Sequence, residues 1–149
     1  AFAPIGYITG NFLAGRFSKR LGVNQMMMLG AMAISTGMVL ALMIAFAGID
    51  SPLAFFGCMT GVGIGNGIAL PNSMAGIVSV KPKLAGAASG LGGFLQLGGA
   101  ALLSILAGIV VGPQTGPVPL ILLMLLCSLA SLAASVYVNR VAVREAALP

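Results

Sequence analysis

Long apolar runs separated by short polar breaks make up the chain. The first run covers residues 1–15 and ends at the polar stretch "GRFSKRLG". The second covers 22–47 and closes at "GIDSP"; the third covers 53–79 and closes at "KPK". A fourth, 84–111, ends at the breaker-rich "GPQTGP", and a fifth covers 118–138 before a polar tail at 139–149. A helix crossing a bilayer takes about 20 mostly apolar residues. The pattern therefore predicts an all-α membrane protein with four full spanning helices and one partial helix at 1–15.

Composition strengthens that reading. The chain is 59% hydrophobic and 6% charged, with a mean hydropathy of +1.12. Soluble domains carry about 25% charged residues, so this chain lacks the material for a water-facing skin. Its few charges are segregated. Arg16, Lys19 and Arg20 follow the first run, Lys81 and Lys83 the third, and Arg140 and Arg144, with Glu145, the fifth, whereas the second break carries only Asp50. All seven basic residues thus fall on alternate connections, which places them on one side of the membrane. The positive-inside rule makes that side cytoplasmic, together with the tail at 139–149. A net charge of +5 so distributed suits anionic lipid headgroups and not nucleic acid. The first apolar run is already under way at Ala1, with no initiator Met, so a fragment is expected.

The runs differ in texture. Segments two and five are rich in Met and Leu and are expected to have much lipid contact. Segments three and four contain "GVGIGNGIALPN" and "AGAASGLGGFLQLGGAA". Glycine lets helix backbones approach closely in lipid, so both are expected to be inner, tightly packed helices. At 100° per residue, Gly61 and Gly65 share one face and Gly63 and Gly67 the opposite one, which offers a neighbour two surfaces. A nucleotide-binding glycine loop would need a preceding strand and a later acidic residue, and neither is present. Pro71 removes a backbone donor and displaces the carbonyl of Gly67, four residues back. Asn66 and Asn72 flank this position. An amide in hydrocarbon is costly without a partner, so Asn66 is expected to face a helix or a cavity. Asn72, nearer the interface, carries the weaker signal.

On segment four, Ala85, Gly86, Ser89, Gly92, Gly93, Gln96 and Ala100 share one face, with Leu91, Phe94, Leu95 and Leu102 opposite. The small, polar face is expected to point inward. Gln96 then either hydrogen-bonds another helix or lines a solute path. The chain has no His, and no Asp, Glu, Lys or Arg sits mid-segment. A catalytic constellation for hydrolysis or metal chemistry is missing, so no enzyme, metal or cofactor is expected. Cys58 and Cys127 lie far apart in apolar runs and read as small buried side chains.

Residues 70–101, "LPNSMAGIVSVKPKLAGAASGLGGFLQLGGAA", resemble the tenth and eleventh helices of major facilitator superfamily transporters, most closely the Bcr/CflA drug-resistance branch. The likeness rests on Pro71, Asn72, Ala85, Gly86, Ala88, Ser89, Leu91, Gly93, Phe94, Leu95 and Gln96. "NFLAGRFSKRLG" is similar to the superfamily's cytoplasmic loop motif at Leu13, Ala14, Arg16, Lys19 and Arg20, and departs from it at Asn11, Gly15 and Ser18. The resemblance implies the C-terminal half of a twelve-helix fold, a partial six-helix half working against an absent N-terminal half. It implies a secondary active transporter of a bacterial inner membrane, exporting drugs or small metabolites by proton antiport with alternating access. Asn66, Pro71, Asn72, Ser89 and Gln96 would line the substrate cavity or the helix seam. Arg16, Lys19 and Arg20 would form cytoplasmic contacts. A solute importer of the same superfamily, or a non-transporting membrane subunit, are the alternatives.

Overall fold

The computed structural model describes residues 2–48, 52–80, 82–111 and 118–146. Asp50, Lys81 and the connection at 112–117 lie outside them. Five helices follow in order: α1 (Phe2–Leu21), α2 (Val23–Phe46), α3 (Pro52–Val80), α4 (Ala85–Val110) and α5 (Val118–Ala146), with a 3₁₀ turn at Pro82–Leu84 before α4.

Among the described residues, three of these helices are long and apolar enough to cross a membrane: Val23–Phe46, Ala85–Val110 and Val118–Arg144. The sequence pattern predicts four full spans and a partial one, so the count differs. α1 and α3 are the helices that fall outside the three. α1 is a complete 20-residue helix, but its last turns are the basic cluster. α3 is 29 residues long, with Pro71 inside it.

The basic stretch is also not a loop. Arg16, Lys19 and Arg20 are helical, and the chain turns into α2 at the single residue Gly22, whose φ of 84 favours glycine. Cations there complement the partial negative charge of the α1 C-terminus, which favours continuing the helix. The expected polar tail is likewise helical: α5 runs past Val138 to Ala146.

α3 is the centre of the bundle. It lies parallel to α1, because Gly6 abuts Thr60, Gly10 abuts Ile64 and Ser18 reaches Asn72, pairs that are each 54 positions apart. Ala14 and Ile68 share a buried cluster with Met26 of α2, in the same register. Residues 6, 10, 14 and 18 form one ridge along α1, and all four are small. A Cβ at Gly6 would strike the Thr60 carbonyl oxygen, and one at Gly10 that of Ile64. Gly63 and Gly67 answer from α3 against Ala3 and Tyr7. Backbones so close gain contact along their whole length, the main attraction available between helices in lipid.

The opposite face of α3 meets α2 in the antiparallel sense. A Cβ at Gly30 would lie 2.8 Å from the Gly65 carbonyl oxygen, and one at Gly65 2.6 Å from that of Gly30. Farther along, Gly37 faces Val62 and Cys58. The two glycine faces of α3 are therefore both occupied, although Gly61 has open space around it.

α2 buries Met26, Gly30, Ala31, Ser35, Gly37, Met38 and Ala41. α5 packs on α2 and buries Ile121, Ser128 and Ser135, a strict seven-residue spacing. Both helices were expected to have much lipid contact, and they keep long exposed apolar faces, Leu29, Met32 and Met43 on α2 and Leu122, Leu126 and Leu129 on α5. α4 was expected to be inner, and the structure overturns this: no residue of α4 is buried among the described residues. Its bulky residues Leu91, Phe94, Leu95 and Leu102 are exposed, and Gly86, Gly90, Gly93, Gly98 and Gly99 have nothing within contact distance. The physical reason is competition. α1 and α2 already fill both close-approach faces of α3, and α4 touches it through Gly92 against Ile77.

Candidate functional site

Two polar features stand out, and both involve α3. The first is an amide relay at the end of the α1–α3 seam. Ser18 Oγ donates to Asn72 Oδ1 at 2.7 Å, and Asn72 Nδ2 donates to the Ile68 carbonyl at 2.7 Å. Asn72 is 3% exposed. Pro71, with no N–H, leaves the Gly67 carbonyl without its helix donor, and the Asn72 amide bonds the next carbonyl along, that of Ile68. Ser73 Oγ, donating to the Ala69 carbonyl at 2.7 Å, supplies a further bond in the same turn. Pro71 itself points outward and is exposed, and α3 continues through it as helix.

The second feature is a cleft of about 410 Å³ between α2, α3, α4 and α5. Its walls are mainly Ile34, Met38, Val62, Leu103, Leu120 and Leu123. Set into them are Asn66, Ser104, Cys127, Ser128 and Ser131. Ser128 Oγ is engaged by the Leu125 carbonyl. The Asn66 amide has no hydrogen-bond partner among the described residues, and it is exposed to the cleft side of α3. Asn66 is four residues after Val62, on a third face of α3 that neither α1 nor α2 covers. The lining offers one amide and a few hydroxyls as hydrogen-bonding groups in an otherwise apolar wall. It lies at the level where α4 runs from Ala100 to Ala107 beside α5, away from its contact at Gly92.

The sequence-predicted residues therefore separate into groups. Asn66 lines the cleft. Asn72 and Pro71 belong to the α1–α3 seam. Ser89 and Gln96 lie on α4, exposed, and Ser89 Oγ donates back to the Gly86 carbonyl of its own helix at 3.0 Å. Gln96 does not line the cleft. Arg16, Lys19 and Arg20 are exposed at the basic end. Sequence reasoning missed Ser18, Ser104, Ser128 and Ser131. For Ser18 the signal was present, since Gly6, Gly10, Ala14 and Ser18 repeat small residues at every fourth position. For Ser128 it was the seven-residue spacing of Ile121, Ser128 and Ser135, a series that does not include Ser131.

All described basic side chains gather at one end. Leu21 to Gln25, Ser79, Asn139, Ala142 and Val143 line a common cleft of about 420 Å³, so the ends of α1, α3 and α5 meet the start of α2 there. Arg16, Lys19, Arg20, Lys83, Arg140 and Arg144 are exposed around that end. No family model, curated protein or solved structure matches the chain.

Proposed function

We propose that this chain is part of a secondary active transporter of the major facilitator kind, exporting drugs or small metabolites in exchange for protons. The observation that carries the reading is the 410 Å³ cleft, greasy-walled and set with the unpaired Asn66 amide. Such a lining favours substrates with a broad apolar body and one or two hydrogen-bonding groups. It carries no Asp, Glu, Lys or Arg, so a proton carrier would come from the other half of the transporter.

Alternating access would rock these helices against an N-terminal half, with α3 crossing the membrane beside α2. The glycine seams of α3 support such movement, because smooth backbone surfaces slide with few side chains to repack. Arg16, Lys19 and Arg20 would sit on the cytoplasmic side of a bacterial inner membrane, with the C-terminus. There they would make contacts that close the path from that side.

The test is efflux of ethidium from cells carrying the intact gene. Expression lowers dye accumulation, and Asn66→Leu restores it while protein levels hold. Raised accumulation on expression would instead indicate an importer. Unchanged accumulation with a co-purifying membrane partner would indicate a non-transporting subunit.

A further inference from the structure

The geometry points to a specific binding site for one anionic phospholipid on the outer surface of α5, with its phosphate at Arg140 and Arg144 and an acyl chain along the helix above them. Three observations meet there. A groove of about 380 Å³ follows α5, lined by Leu129, Leu132, Ala133, Val136, Tyr137 and Arg140. It is apolar along its length and ends in a phenol and a guanidinium. Arg144 lies four residues beyond Arg140, on the same helix face, and both are exposed. The order along the groove is thus hydrocarbon, then aromatic hydroxyl, then two cations, which is the order of polarity in a phospholipid from tail to phosphate.

Beside Arg140, on the neighbouring face of α5, opens the polar cleft at the basic end. Asn24, Gln25, Ser79 and Asn139 line it. Their amides and hydroxyls can take the polar part of a headgroup beyond the phosphate, while Arg140, adjacent to Asn139, holds the phosphate between groove and cleft. Guanidinium groups bind phosphate oxygens through paired N–H donors. The apolar groove decides for a lipid over a free phosphate ion, because a free ion has no use for Leu129 to Val136. The proposal depends on membrane residence and not on transport, so its readout is lipid binding alone.

The experiment is titration of the detergent-solubilised protein with a fluorescently tagged phosphatidylglycerol. Competing ligands are untagged phosphatidylglycerol, phosphatidylcholine and inorganic phosphate. Saturable binding is expected, displaced by phosphatidylglycerol and by neither of the others. Arg140→Gln with Arg144→Gln should weaken binding about tenfold or more, since each cation contributes to anionic-lipid attraction. Ala133→Trp, on an exposed position, fills the groove without touching charge and should weaken it comparably. Arg16→Gln with Lys19→Gln removes the same charge elsewhere and should leave binding within about twofold. Displacement by inorganic phosphate, equal displacement by phosphatidylcholine, full binding by Ala133→Trp, or an equal loss in the Arg16 and Lys19 pair would each overturn the site.

Discussion

Ser18 and Asn72 are joined across 54 positions of sequence by a 2.7 Å hydrogen bond, and this bond closes the α1–α3 seam at the basic end of the bundle. Above it the ridge Gly6, Gly10, Ala14 packs on α3 in one register. The hydroxyl gives Asn72 Oδ1 its donor, and the same amide serves the Ile68 carbonyl beside Pro71. One small side chain on α1 therefore supports the turn of α3 where proline has removed a donor.

Ser18→Ala and Asn72→Ala should each destabilise the protein, and the two losses should not add. A hydrogen bond between helices is worth about 0.5–1.5 kcal/mol. Unfolding by denaturing detergent, measured as a double-mutant cycle, should return a coupling in that range. Asn72→Leu should be worse than Asn72→Ala, because it adds bulk at a buried position while removing both bonds.

The glycine seam makes a contrast between neighbours of one residue type. Gly10→Ala places a methyl group against the Ile64 carbonyl, which must move, and should cost roughly 1–3 kcal/mol. Gly93→Ala on α4 meets nothing and should be neutral, or stabilising by up to about 1 kcal/mol through helix propensity. The same unfolding assay decides. Equal losses would mean that α4 is packed in the membrane as tightly as α1.

Gly22 is a turn residue with φ of 84, and no atom crowds its Cβ position. Gly22→Ala should therefore act through the backbone alone, costing about 1 kcal/mol. Gly15→Ala, helical and open, should show no loss. Thermal melting in detergent separates the two.

Cys127 lines the main cleft and Cys58 lies on the α2–α3 side of the bundle. If the cleft takes apolar solutes, a transported dye should slow modification of Cys127 by a small maleimide and leave Cys58 unaffected. Protection of both cysteines, or of neither, would argue against solute binding in the cleft.

Much of this fold is legible in the residue pattern, and the parts that are not have a common cause. The apolar runs locate the helices, and the alternation of Gly61, Gly63, Gly65 and Gly67 does mark two faces of α3, of which Gly63 and Gly67 take α1 and Gly65 takes α2. Periodicity describes a surface and not its occupant. The small face of α4 looks as ready for a neighbour as that of α3, yet α1 and α2 take the places on α3 and leave α4 uncovered. Depth is misjudged for a related reason. Asn66 lies nearer mid-helix than Asn72, but Asn72 has Ser18 opposite it and is buried, whereas Asn66 opens onto the cleft. Helix ends are blurred by charge. Arg16, Lys19, Arg20, Arg140 and Arg144 look like loop or tail residues, yet they extend α1 and α5 beyond the apolar runs.

Everything functional assumes that the end bearing Arg20, Lys83 and Arg144 faces one side of a membrane and the α2 C-terminus faces the other. The direct measurement is labelling of single cysteines by a membrane-impermeant maleimide, in a background with Cys58→Ala and Cys127→Ala. Arg20→Cys, Lys83→Cys and Arg144→Cys should react only when the cytoplasmic side is open to reagent, and Ala47→Cys only from the opposite side. Reaction of Ala47→Cys and Lys83→Cys from the same side would contradict the account.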